Sequence, residues 1–323
     1  MKEQALRSGA VTAEGIRASG GPLPPASPTT GYYGTPLFHE PTWTWEIPLY
    51  FFVGGAAGVS AIIGVTANIN GLNDLSHDAR LIAAAGSVLS GVLLVSDLGR
   101  PGRFLNMLRV IKLQSPMSVG AWTLLTFSTA AGVAGAASLI DQPGGNPPLR
   151  LLGDCSAILS ALTGAVMATY TGVLVGATVI PVWATNVRTL PAHFGASSVA
   201  SAASLLEICG HRQRGLGRLA TLAAAAETAA AVHLHVRTDR SLEPLKRGLS
   251  GALTTTGALL SGPIPLALRL LGSRSVRSRQ LAAVSSIAGS LLTRYAWVSA
   301  GKASSRDSSI PLRLDRPAST SEG

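Results

Sequence analysis

An all-α membrane protein of about eight transmembrane helices in two four-helix bundles is the fold this sequence predicts, on three observations. Of 323 residues, 47% are hydrophobic and only 13% are charged, against about 25% charge in a soluble domain. The mean hydropathy is +0.35, and the 36 glycines suit helices that pack closely in lipid. The apolar residues are gathered into runs, each near the roughly 20 residues that cross hydrocarbon. A net charge of +10 could suit nucleic acid, but the basic residues fall in short loops and tails between the runs, as in membrane proteins. No basic groove with interleaved aromatics accompanies them, which argues against a nucleic-acid partner.

Residues 1–42 are rich in Gly, Pro, Ser and Thr and hold no signal-peptide core, so they read as a flexible tail outside the membrane. Apolar segments then cover 47–69, 79–97, 119–140, 155–180, 193–210, 219–236, 248–271 and 280–300. The first four, within 43–180, form one predicted bundle; the last four, within 181–300, form the other; 301–323 is a flexible C-terminal tail. The fifth and sixth segments are the weakest, being Ala/Ser-rich and carrying Glu207 and Glu227. Turn signals separate the segments, among them "GLNDLSHD", "DQPGGNPP", "RTLP" and "EPLKRG". The small residues of "GGAAG" (54–58) and "GVLVGA" (172–177) allow close helix packing. Eight spans put both termini on one side, and the excess of Lys and Arg in the loops of that side places them in the cytoplasm.

With the termini together, odd segments start and even segments end on one face. The start of the first segment ("TWTWEIPLY"), the end of the second ("SDLGRPGR"), the start of the third ("SPMSVGAW") and the later part of the fourth ("ATYTG") therefore converge. Glu46, Tyr50, Asp97, Arg100, Arg103, Ser118, Trp122 and Tyr170 are expected to line one pocket at one interface. Ionisable groups inside a membrane are functional candidates by default. Blander readings fit several neighbours: Trp43 and Trp45 as an interfacial aromatic belt, Arg109 and Lys112 as snorkelling chains, Pro101 as a helix stop. Asp97 with Arg100 is either a structural ion pair or part of the pocket. Glu46 can exchange a proton, and the Tyr170 hydroxyl can donate to a carbonyl, between apolar walls from Phe51, Phe52 and Met117. That chemistry suits a quinone, whose head needs two hydrogen bonds and proton exchange while its tail needs lipid.

Glu207 and Glu227 are the other intramembrane acids. They could form a proton relay, or face the protein interior in protonated form, which is the preferred reading. His233 and His235 point in different directions from one helix and His193 lies near a segment end, so no haem is expected. Cys155 and Cys209 cannot supply an iron–sulfur cluster and read as small helix residues; no metal is expected in this chain.

The stretches "WTWEIPLYFFVGGAAGVSA", "LLVSDLGRPGRFLNMLRVIKLQSPMSVGAW", "YTGVLVGATVIPVW" and "RYAWVSAGKASSRD" together resemble the NrfD/PsrC family of polysulfide-reductase-type membrane subunits. The resemblance covers most of 43–307 and is densest over 45–122. It implies eight or more membrane helices and no bound metal or haem. It also implies a menaquinone or ubiquinone near the face where a four-cluster ferredoxin-like iron–sulfur subunit docks. That subunit would pass electrons to or from a molybdopterin-type catalytic subunit. The chain would then be the quinone-interacting anchor of a multi-subunit respiratory oxidoreductase, of the kind used in anaerobic respiration, in a prokaryotic cytoplasmic membrane. On the same resemblance, Tyr170 is the quinone-contacting tyrosine. Glu46 and Tyr50 are the polar positions at the head of the first segment, Tyr50 standing where a relative has histidine. Asp97, Arg100 and Arg103 shape the pocket rim and docking surface, with Ser118 and Trp122 beside them. The alternative is a small-solute or ion transporter, for which Pro263, Pro265, Glu207 and Glu227 would be raw material. Matched broken helices would mark transport, and only one interrupted segment is found.

Overall fold

In lipid, backbone N–H and C=O groups find no water, and a helix pairs them within its own segment. Every regular element among the described residues is accordingly helical. The computed structural model describes residues 38–99, 101–140, 146–272 and 275–306, with Pro101 and Arg103 described by their backbone alone. Helix α1 spans Glu46–Ile69, α2 Asn73–Asp97, α3 Pro101–Met107, α4 Pro116–Ile140, α5 Pro147–Gly176 and α6 Pro181–Ala184. Then come α7 (Thr189–Ile208), α8 (Arg214–Val236), a 3-10 turn (Arg240–Leu245), α9 (Gly248–Ser261), α10 (Pro263–Leu271) and α11 (Val276–Arg306).

Proline opens α3, α4, α5, α6 and α10, because the first turn of a helix has no use for the missing N–H. The seventh predicted segment divides at Gly262 for the same reason: Pro263 starts a new helix instead of continuing α9. Several helices run past the apolar segments into polar flanks. The signal "GLNDLSHD" is helical from Asn73 onward, and its turn is confined to 70–72, where Gly71 takes φ 70°. Gly99, at φ 66°, ends α2 ahead of the short α3, which the sequence reading did not anticipate.

Among the described residues, six elements are long and apolar enough to cross a membrane: α1, α2, α4, α5, α8 and the α9–α10 pair. The expected eight are reduced by α7 and α11, which are long but more polar. Helix α7 is rich in serine, and α11 carries Arg277, Arg279, Arg294, Lys302 and Arg306. Much of that polarity faces protein, since Ser197, Ser198, Ser201, Ser204, Ser286, Ser290 and Arg294 are all buried.

Helix α1 packs on α2 and α5, and α4 packs on the same two. Helix α11 packs on α7, α9 and α10, and α8 packs on α7. Helix α7 also packs on α1 and α5, and α11 on α1, so the two sets of helices share an interface. One close crossing is α1 on α5, where a Cβ on Gly58 would stand 2.4 Å from the Gly164 carbonyl oxygen. The aromatic core next to it gathers Phe51, Phe127, Met167, Trp183, Phe194 and Trp297.

Gly58→Ala should therefore force α1 from α5 and lower the melting temperature of the purified protein. Overpacking costs about 1–3 kcal/mol. Gly91→Ala, whose added Cβ meets nothing within 4 Å, should leave the melting temperature unchanged or raise it, because alanine is the better helix former.

Candidate functional site

Thr44, just ahead of α1, ties two helices together. Its backbone N–H and its hydroxyl reach Asp97 Oδ1 at 3.3 and 2.8 Å, and the same hydroxyl bonds Glu46 Oε2. The head of α1 and the end of α2 are thus joined through one side chain. Glu46 lies in the first turn of α1, where the helix dipole favours a carboxylate. The end of α11 holds the same region: the Tyr295 hydroxyl donates to the Trp45 carbonyl at 2.9 Å. Arg306 Nε and Nη2 donate to the Glu40 carboxylate at 3.0 and 2.7 Å.

One turn deeper, Tyr50 is buried, and Tyr170 on α5 is buried as well. The Tyr170 ring occupies the space a side chain on Gly120 of α4 would need: a Cβ there would lie 1.9 Å from Cζ and 2.0 Å from the hydroxyl oxygen. Around Gly54, a Cβ would meet Met167 Cε at 3.1 Å, Ser90 Oγ at 3.4 Å and Tyr50 Cε2 at 3.7 Å. Side chains of α1, α2 and α5, with the open face of α4, thus build one polar end. Neither tyrosine hydroxyl has a hydrogen-bond partner among the described residues. The same holds for two buried groups on α2 and α4, Ser90 Oγ and Trp122 Nε1. Unpaired polar groups in an apolar setting are costly, so this end is chemically suited to a ligand bearing carbonyl acceptors.

Residues 29–306 match the family model described as polysulfide reductase of the NrfD type. This chain belongs to the NrfD/polysulfide reductase family. Curated proteins give no match to it. As a member of that family, with six apolar helices of spanning length, it is an integral membrane protein of the oxidoreductase-subunit class.

The remaining predicted positions of this NrfD-family subunit are less uniform. The Ser118 hydroxyl accepts from the Lys112 N–H at 3.0 Å and donates to the Val110 carbonyl at 3.2 Å, so it closes the loop between α3 and α4. Met117, expected as a wall, is exposed, while Phe51 is fully buried in the core. Arg100 lies outside the described residues, and so does the side chain of Arg103, whose backbone sits in α3. Trp45 is 60% exposed, as a belt residue would be. Trp43 instead stacks on Trp183 at 5.2 Å and meets Phe51 edge-on at 5.9 Å.

Glu207 is held by Arg269, whose Nη1 lies 2.8 and 2.7 Å from its two carboxylate oxygens. Glu227 is different. It is 1% exposed, with His193 Nε2 at 3.4 Å and no hydrogen bond to either oxygen among the described residues. A cavity of about 20 Å³ adjoins His193, Glu227, Thr293 and Trp297, the size of one water molecule. Arg294 donates to the Phe194 carbonyl at 2.8 Å and to Ser198 Oγ at 3.2 Å, and lies 3.7 Å over the Phe194 ring. Its Nε and Nη1 are buried without a partner among the described residues. Thr44 and Arg294 escaped the sequence reading. The signal for Arg294 was present, as one arginine inside the segment "LLTRYAW". Among the described residues no three His, Cys, Asp or Glu side chains gather to hold a metal ion.

The exposed Glu40–Arg306 tie has a pH signature. Hydrogen bonding from Arg306 holds the Glu40 carboxyl below its ordinary 4.5. A depressed carboxyl stabilises the fold above its unfolded value and loses that contribution as pH falls through the folded one. Protection of the amides over 38–45 from exchange should hold down past pH 4.5 and fall away below it; Glu40→Gln should lower that protection at neutral pH and make no difference where Glu40 is already protonated.

Proposed function

We propose that this NrfD-family chain is the quinone-reactive membrane subunit of a respiratory oxidoreductase. In this reading it exchanges electrons between a menaquinone or ubiquinone and a four-cluster iron–sulfur partner, which serves a molybdopterin-type catalytic subunit. The observation that carries the reading is the pairing of two buried tyrosines, whose hydroxyls have no hydrogen-bond partner among the described residues, with the Glu46–Thr44–Asp97 cluster at the same end of the helices. A bound quinone supplies the two-electron, two-proton chemistry. The chain's own residues supply the rest. Tyr170 donates to one quinone carbonyl, with its ring fixed by the gap at Gly120, and Tyr50 donates nearby. One hydroxyl proton serves two carboxyl groups in the Glu46–Thr44–Asp97 cluster, so the cluster can take up one more proton and release it to the bound head. Apolar helix faces keep bulk water away and let the tail reach lipid.

Arg100 and Arg103, with α3, form the docking rim for the iron–sulfur partner, beside Ser118 and Trp122. In this reading α7 and α11 also cross the membrane, shielded by the six apolar helices, which completes eight spans in two bundles and leaves both termini in the cytoplasm of a prokaryotic cell. Of the two acids considered for a proton relay, Glu207 is tied up by Arg269, and the role falls to Glu227 with His193 beside it.

The test is quinone-coupled electron transfer by the purified complex. Tyr170→Phe removes one hydrogen bond of about 1–1.5 kcal/mol and should slow turnover with a menaquinone analogue roughly tenfold. Glu46→Gln should slow it and shift its pH profile. Unchanged quinone turnover in both variants would overturn the site. Gly120→Ala should match Tyr170→Phe in turnover, since the added Cβ displaces the ring.

A further inference from the structure

The end of the molecule opposite the tyrosines carries a second, chemically different site. A groove of about 720 Å³ runs between α1, α5, α7 and α8, walled by apolar side chains that include Val59, Ile62, Ile63, Val199, Leu216 and Leu219. Helix α8 packs on α7, α9 and α10 but has no extensive packing on α1 or α5, and the groove is the space between them. Beside it lies a cavity of about 540 Å³ with a different lining, where Arg212, Arg214, Arg218, Arg269 and Arg279 face one carboxylate, Glu207. Arg269 is spent on Glu207, at 2.7 Å. Arg212, Arg214 and Arg218 have no ion-pair partner among the described residues.

Gln213 lines both the groove and the arginine cavity. Its amide oxygen is buried and has no hydrogen-bond partner among the described residues. It also stands at the start of α8 with no side-chain cap bond, so the first N–H groups of that 23-residue helix point toward the same region. A hydrocarbon slot that opens beside a cluster of guanidinium groups suits an amphipathic ligand with an anionic head. A quinone head is neutral and has no use for three arginines without ion-pair partners. A soluble acidic peptide has no use for the slot. Basic pockets between membrane helices are known chemistry for anionic lipid headgroups.

We propose that this end of the protein binds one anionic phospholipid. Its phosphate lies among Arg212, Arg214, Arg218 and Arg279, and an acyl chain fills the groove along Val59, Ile62 and Leu216. The lipid then joins α8 to α1 and α5 where the protein does not do so itself.

The test uses the full-length protein, purified in mild detergent, delipidated and titrated with phosphatidylglycerol, with phosphatidylcholine of the same chain length, or with inorganic phosphate. Native mass spectrometry and the melting temperature are the readouts. Phosphatidylglycerol should bind as a single molecule and raise the melting temperature, and the other two should do neither. Arg212→Gln and Arg214→Gln should each weaken phosphatidylglycerol binding roughly fivefold, as expected for one arginine near an anionic head. Ile62→Trp, which fills the groove, should weaken it without removing a charge. Equal binding of phosphatidylcholine would overturn the proposal. So would a thermal shift reproduced by inorganic phosphate alone, or arginine variants that bind as the wild type does.

Discussion

The contact of α1 with α5 at Gly58 and Gly164 sets the geometry of the rest. Each residue would drive a Cβ to within 2.4–2.5 Å of the other's carbonyl oxygen, so only bare backbone fits on either side. Because the helices meet so closely there, Met167 of α5 reaches Gly54 of α1, and Tyr50 flanks the same position. The neighbouring face of α1 is equally bare at Gly55, where a Cβ would meet Ser198 Oγ of α7 at 2.2 Å. Helix α1 is thereby pressed between α5 and α7, and both sets of helices are built around it. In lipid, where apolar surface gains little by touching another helix, this kind of backbone approach is a main source of cohesion.

The two ends of the helices are held by different sets of ties. At the tyrosine end they are the hydrogen bonds of Thr44 to Asp97 and of Tyr295 to Trp45, the stacked Trp43 and Trp183, and the exposed Arg306–Glu40 pair. At the other end they are the ion pairs of Arg80 with Asp154 at 2.6 Å and Arg269 with Glu207 at 2.7 Å, and a hydrogen bond between His211 and Asp78 at 2.8 Å. Charges out of water are stable only when well paired, and these ties link α2 to α5, α2 to the loop after α7, and α7 to α10. Arg294 and Glu227 lie between the ends, joined to Tyr50 through a run of rings, Phe51 at 5.7 Å and then Phe194 at 6.3 Å. Aromatic packing thus connects the polar end of the first helices to the charged interior of the later ones.

Much of this was legible in the sequence, for physical reasons that also explain what was not. Long apolar runs announce α1, α2, α4 and α5 because lipid leaves no alternative to a helix. Counting spans by parity brings Glu46 and Asp97 to one face before any coordinates are known. Parity says nothing about side-chain detail, so Thr44, the residue that joins the two acids, was missed; a threonine beside tryptophans has no signature of its own. Ser118 has a second task that its place near a motif does not reveal, since its hydroxyl closes the loop ahead of α4. The polarity of α7 and α11 was visible as weakness in the fifth segment and as charge in the eighth. What it meant depended on tertiary burial, which periodicity alone does not report. Glu207 looked like Glu227 in sequence, and only the position of Arg269 separates them.

The mutual burial of α7 and α11 has a consequence for how the chain is made. Arg294 bonds the backbone and side chain of α7, yet the bonded residues lie 100 and 96 positions apart in sequence. When α7 leaves the ribosome, the helix whose Arg294 and Ser290 bond it does not yet exist. The contacts that bury the polar faces of α7 and α11 against each other can therefore form only after α8, α9 and α10 have been made, so this interface is among the last parts of the fold to close.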